Sequence, residues 1–315
     1  MLSSRGLGAS IGLVLALGAG SAVAAEPAEC RSITFSDVGW TDITATTATA
    51  TVILKSLGYQ PDVQMLSVPV TYASLDSKDI DVFLGNWMPT MEGDIAPYRE
   101  KGTVETLVTN LEGAKYTLAV PQYTYDAGLK TFDDIAKFKD ELNGQIYGIE
   151  PGNDGNRLIL DMIEGDLHGL SDFELVESSE AGMLAQVRRA VQREEHMVFL
   201  GWEPHPMNAN FEMAYLDGGD EVFGPNYGGA SVLTNVWTGF AEACPNVGQF
   251  LKNLVFSLEM ENEIMGAILD EGADPEAAAT AWLKENPEAL TPWLEGVTTF
   301  DGNDAADAVK QGLGL

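Results

Sequence analysis

The first third of the chain alternates short apolar runs with longer mixed segments in a regular order. Residues 33–38 alternate apolar and polar positions, the period-two signature of a strand. The run passes through Gly39-Trp40 into residues 42–58, which are rich in Ala, Thr, Val, Ile and Leu and close on Gly58. That reads as a helix and its stop residue. Residues 59–68 predict a second strand, 70–77 a short helix, and 80–84 a third strand running into Trp87. A β-α-β-α-β order implies a mainly parallel sheet with helices packed on it. In such sheets ligands bind beyond the carboxyl ends of the strands, and Trp40 and Trp87 fall there.

Two short β-like runs follow, 104–109 and 116–121, around Gly113. Thr131 opens a helix as its cap, with Asp133 and Asp134 in the first turn. Residues 145–149 predict a strand, which leads through a Gly/Asn turn into a helix at 157–163. Residues 183–191 form a basic amphipathic helix whose Arg188, Arg189 and Arg193 belong to a solvated face, and the strand at 197–200 ends at Trp202. After one more strand-like run, 232–239, helices are predicted at 246–258, 259–271, 275–286 and 304–311. Trp282 and Trp293 lie on this helical part and read as core. The fold class is therefore α/β: one βαβ lobe begins, a second intervenes, and the chain returns to the first. The expected division is 26–110 plus 221–315 as a discontinuous lobe I and 111–220 as lobe II. Two lobes joined by two crossings describe a hinged clamp.

The ends and the charge add a compartment. Arg5, the apolar stretch 11–20 and the small residues Ser21-Ala22-Val23-Ala24-Ala25 follow the grammar of a secretory signal peptide, residues 1–25. The stretch is short of the roughly 20 residues that span a bilayer, so export to the periplasm with cleavage near Ala24 or Ala25 is expected. The chain carries 48 acidic and 17 basic residues, a net charge of −31. Such a surface repels nucleic acid and anionic lipid. It attracts cations from a distance, a pull that salt weakens, and the same acidity also serves solubility in a saline habitat. Cys30 and Cys244 are the two cysteines. In an exported chain an even pair predicts a disulfide, here tying the mature N-terminus to the last quarter. Neither they nor His168, His196 and His205 have metal-ligand spacing, and no metal or other cofactor is expected.

Three stretches share one design: Gly39-Trp40-Thr41-Asp42, Leu84-Gly85-Asn86-Trp87-Met88-Pro89 and Gly201-Trp202-Glu203-Pro204. Taken singly, a tryptophan after a strand is a packing residue and Asp42 is a helix cap. Together they offer π-faces beside a carboxylate. A quaternary ammonium has no N–H to donate, so polar acceptors cannot replace its water shell, whereas aromatic quadrupoles can. Two other readings stay open: a sugar binder stacking on the tryptophans, and an exported hydrolase using Asp42 and Glu203 as a carboxylate pair. Beyond the expected signal peptide the chain has no G-x-S-x-G or H-E-x-x-H motif, and no catalytic residue is assigned.

With Lys115-Tyr116-Thr117-Leu118-Ala119-Val120-Pro121 and Gly148-Ile149-Glu150-Pro151-Gly152-Asn153 added, and the third stretch carried on to His205, the chain resembles the periplasmic choline-binding proteins of bacterial ABC importers, within the wider glycine betaine-binding group. The likeness runs through essentially the whole mature length. It implies a two-lobed periplasmic binding protein, each lobe a central mainly parallel sheet flanked by helices. It implies a cage of Trp40, Trp87, Tyr116 and Trp202 around the trimethylammonium group, Asp42 and Asn153 on the choline hydroxyl, and a Cys30–Cys244 bond. Tyr116 enters only through the resemblance. The expected partners are choline, acetylcholine more weakly, and a membrane permease, with the protein itself a monomer and not an enzyme. Glycine betaine carries a carboxylate that an ionised, buried Asp42 would repel.

Overall fold

The computed structural model describes residues 26–315; the expected signal peptide and its cleavage point lie outside them. β1 (Ser32–Asp37), α1 (Thr41–Ser56), β2 (Gln60–Met65), α2 (Val68–Ser77) and β3 (Val82–Met88) follow in the order read from the sequence. β1 runs parallel to both β2 and β3. The next helix, α3 (Glu92–Lys101), has no apolar stripe to announce it, since only Ile95 is buried and Pro97 lies inside it. Its charges carry the signal instead. Glu92 and Asp94 stand in the first turn and Arg99 and Lys101 in the last, each sign at the helix end that favours it.

The two short runs expected around Gly113 are one strand, β4 (Val104–Pro121). After it come β5 (Gln145–Tyr147), α4 (Asp154–Glu164), β6 (Glu174–Val176), α5 (Glu180–Arg193), β7 (Phe199–Glu203), β8 (Met213–Tyr215) and β9 (Gly229–Trp237). The chain ends with α6 (Pro245–Asn253), α7 (Leu258–Leu269), α8 (Pro275–Glu285) and α9 (Ala305–Leu313). Three register shifts against β9, and a positive φ of 80° at Gly113, let β4 bend while it stays paired. Bulges of this kind turn a strand without ending it.

The strand order is β2-β1-β3-β9-β4-β7-β5-β6, with β8 on the far end of β4. Both wings of this curled sheet are parallel. The long strands β4 and β9 join the wings and are antiparallel to their neighbours. β4 pairs with β9 from Val104 to Lys115, then with β7 from Lys115 to Ala119. It therefore leaves one lobe and enters the other without a break in its ladder.

α1 lies almost wholly buried, packed against α7 and α8. A threonine-rich helix survives there because its hydroxyls fold back on the preceding turn. Thr46 Oγ1 donates to Asp42 O at 3.1 Å, Thr49 Oγ1 to Ala45 O at 2.9 Å and Thr51 Oγ1 to Ala48 O at 2.9 Å, so little hydroxyl is desolvated unpaired. Cys30 and Cys244 are disulfide-bonded across 214 residues, their Cα atoms 5.6 Å apart. Trp293 is buried and Trp282 half-buried in the helical part, and Arg188, Arg189 and Arg193 are exposed on α5. Among the described residues, no helix is long and apolar enough to cross a membrane.

Candidate functional site

A positive φ of 84° at Gly39 turns the chain sharply between β1 and α1, a conformation glycine adopts without strain. Asp37 fastens the turn. Its Oδ1 accepts from the Gly39 N–H at 2.7 Å and its Oδ2 from the Thr44 hydroxyl at 2.7 Å. Trp40 thereby becomes the residue that precedes α1, and Asp42 lies in the first helical turn rather than at the cap. Trp87 and Trp202 are the penultimate residues of β3 and β7, each followed two positions on by a cis-proline. Tyr116 pairs with Trp202 across the β4–β7 ladder. Asn153 caps α4, its Oδ1 accepting from the Asn156 N–H at 3.0 Å.

All six residues converge. Trp40, Asp42, Trp87, Tyr116, Asn153 and Trp202, with Ile149, line one cavity between the two wings of the sheet. The space between the atoms that wall it is about 240 Å³. Each lining residue is at most 5% exposed. The Tyr116 ring centroid lies 6.0 Å from that of Trp87, tilted by 58°, and 6.2 Å from that of Trp202, at 82°. Tyr116 thus meets both neighbouring indoles at a steep angle, so these rings wall the space from more than one direction. Gly155 is required here, because a Cβ on it would overlap the Tyr116 hydroxyl.

The polar end of the cavity has a defined donor and acceptor set. Trp87 donates its indole N–H to Asp42 Oδ2 at 3.0 Å, while Asp42 Oδ1 is buried with no partner among the described residues. The Tyr116 hydroxyl donates to Asn153 Oδ1 at 2.9 Å, and Asn153 Nδ2 donates to Asp154 Oδ1 at 3.1 Å. A backbone N–H can only donate, so its bond to Asn153 Oδ1 fixes the amide orientation. One Nδ2 hydrogen of Asn153 is left over. Burial, and next the negative charge of Glu180, push the Asp42 carboxyl up to about 8, against the lowering bond from Trp87. Burial likewise pushes Glu150 up to about 7 and Asp154 to about 6. Acidic groups surround this site, and among the described residues no lysine or arginine lines it.

Glu203, the second carboxylate of the hydrolase reading, is outside this cavity and pairs with Lys115 at 3.2 Å. Ile149, Glu150, Glu180 and His205 belong to the site or its surroundings and were not singled out from the sequence. Ile149 and Glu150 stand in the same Gly148–Asn153 stretch that held Asn153. Glu180 has no local signal beyond being an acid in the first turn of α5.

Two lobes closing on a small caged void define a solute-binding protein. The chain belongs to the family described as the substrate-binding domain of the ABC-type glycine betaine transport system, whose profile matches residues 31–285. A solved ABC-transporter choline-binding protein in complex with choline is 66% identical to it, across 91% of this chain and all of that one, with a TM-score of 0.91. An unliganded, semi-closed choline-binding protein, also 66% identical over the same shares, superposes with a TM-score of 0.84. The glycine betaine/carnitine transport binding protein GbuC of Listeria monocytogenes is 32% identical over 177 residues, 56% of this chain and 57% of that protein.

Proposed function

We infer that the protein captures choline and presents it to the membrane permease of an ABC importer, acting as a binder and not as a catalyst. One observation carries the choice of ligand. Among the described residues, the cavity is walled by three indoles and a phenol, ends at the unpartnered Oδ1 of a buried aspartate, and has no basic side chain in its lining. A trimethylammonium group suits the rings. A choline hydroxyl would donate to Asp42 Oδ1 and accept the spare Nδ2 hydrogen of Asn153. Acetylcholine lacks that O–H and should bind more weakly. A betaine carboxylate would meet Asp42 with no arginine or lysine to receive it.

The 66% identity to a choline-bound structure supports this reading, as does the better superposition on the liganded form. Membership of a transport family supports a permease partner and a place outside the cytoplasm; periplasmic release after Ala24 or Ala25 is part of the proposal. The lobes we assign are 26–110 with 221–315, and 111–220. The change of partner along β4 at Lys115 and the return of the chain through β9 support that division. Trp40, Asp42 and Trp87 then come from lobe I, and Tyr116, Asn153 and Trp202 from lobe II. Ligand bridges the lobes and favours the closed state by its greater affinity for it.

The raised carboxyl of Asp42 makes the ligand choice pH-dependent. Burial and the charge of Glu180 hold the Asp42 proton up to about pH 8 when no cation stands beside it. A bound cation favours the ionised form, so choline binding should release protons and strengthen as pH rises from 6 to 8. Glycine betaine needs Asp42 neutral and should weaken over the same range. Calorimetric titrations with both ligands at pH 6, 7 and 8 check this. Parallel slopes, or betaine tighter than choline at pH 8, would remove Asp42 from the role given to it.

A further inference from the structure

The first turn of α1, which holds Trp40 and Asp42 in the cavity wall, is gripped by two carboxylates from the opposite wing. Glu150 Oε1 accepts the Trp40 indole N–H at 2.7 Å. Glu180 accepts twice from Thr41: the backbone N–H reaches Oε2 at 2.9 Å and the hydroxyl reaches Oε1 at 2.6 Å. His205 supplies a third donor. Its Nδ1 accepts the Met207 N–H at 2.9 Å, so Nε2 carries the proton directed at Glu180 Oε1, 3.1 Å away. The same imidazole meets the Trp202 ring edge-on, with centroids 4.7 Å apart. Glu180 is 4% exposed and His205 2%.

A carboxylate buried this deeply is costly unless donors replace its water. Two of its three donors belong to Thr41, across the cleft, together with the positive end of the α1 dipole. The bonds join residues 110 and 139 positions apart, and their carboxylates stand on the β5–α4 and α5 side while Trp40 and Thr41 stand on the β1–α1 side. They can form only with the lobes together. Opening the cleft returns Glu180 to water and frees the Trp40 indole.

We propose that Glu180 and Glu150 are positioning residues that latch the closed clamp: they seize Thr41 and Trp40, and so set the Trp40 wall of the cage over the bound cation. The proposal rests on the cation-trapping reading given above. Neither carboxylate lines the cavity, so the latch acts through Trp40 and, by way of His205, through Trp202. Part of the closing free energy is then independent of the ligand, and the latch governs chiefly how long a bound cation is retained.

Stopped-flow tryptophan fluorescence with choline, alongside X-ray scattering of the ligand-free protein, tests it. Glu180→Ala should speed choline dissociation tenfold or more, leave association within about twofold, and enlarge the ligand-free radius of gyration. Glu180→Gln, which keeps one acceptor oxygen, should fall between it and the wild type. Thr41→Val removes one cross-cleft donor from an intact Glu180, and should speed dissociation about threefold even where Glu180→Ala folds poorly. A purely structural role would lower the melting temperature and leave dissociation unchanged; that result in Glu180→Ala and Thr41→Val overturns the latch. If the wild type gives no response to choline, the ligand reading has failed. The latch is then decided by whether Glu180→Ala expands the ligand-free protein.

Discussion

Trp87→Ala should weaken choline binding at least about 30-fold, the equivalent of about 2 kcal/mol for one desolvated cation–π wall. The loss has two sources. One is the ring itself, which stands 6.0 Å from Tyr116 and closes that side of the cavity. The other is the indole N–H, the side-chain donor that Asp42 Oδ2 has among the described residues. Without it both oxygens of a fully buried carboxylate lack a side-chain partner, and the proton is held still more tightly. Trp87→Phe separates the two contributions, because it keeps a π-face and loses the donor. Calorimetry should rank wild type above Trp87→Phe and Trp87→Phe above Trp87→Ala. Equal affinity in wild type and Trp87→Ala would mean that the ring only packs.

The second large effect concerns stability and should leave binding alone. Replacing Cys30 and Cys244 together with serine opens a loop of 214 residues in the unfolded chain. The chain-entropy account puts the loss at up to about 5 kcal/mol, an upper figure because native strain offsets part of it. Both cysteines are buried and neither lines the cavity. Urea unfolding should therefore show a clear drop in midpoint, while choline affinity of the folded fraction stays within about twofold. An unchanged midpoint would show that the two bonds from the first turn of α6 to Glu26 hold the N-terminal segment without the disulfide.

The sequence carried much of this arrangement because the site is written at strand ends. Trp40, Trp87 and Trp202 each follow an apolar run and a glycine within a few residues, and strand ends of an α/β sheet face the cleft. Asp42 was legible for the same reason. Tyr116 was not, since inside β4 its side chain follows ordinary strand alternation, and only its partner across the ladder, Trp202, gives it meaning. Glu150 and Glu180 were hidden for a different reason. Their partners are Trp40 and Thr41, over a hundred residues earlier, and nothing near either acid marks it as a partner for another lobe. The unity of β4 was masked by Gly113, which reads as a break but serves as a bend. α3 was masked by charge and by Pro97, which remove the apolar period that a helix normally shows.

A structure of the protein crystallised with choline tests most directly whether four rings from both lobes hold the headgroup. It should place the quaternary nitrogen within about 6 Å of the ring centroids of Trp40, Trp87, Tyr116 and Trp202, with the hydroxyl on Asp42 and Asn153. Choline found outside this cavity, or inside it with the nitrogen turned toward Asn153 and the hydroxyl among the rings, would contradict the account.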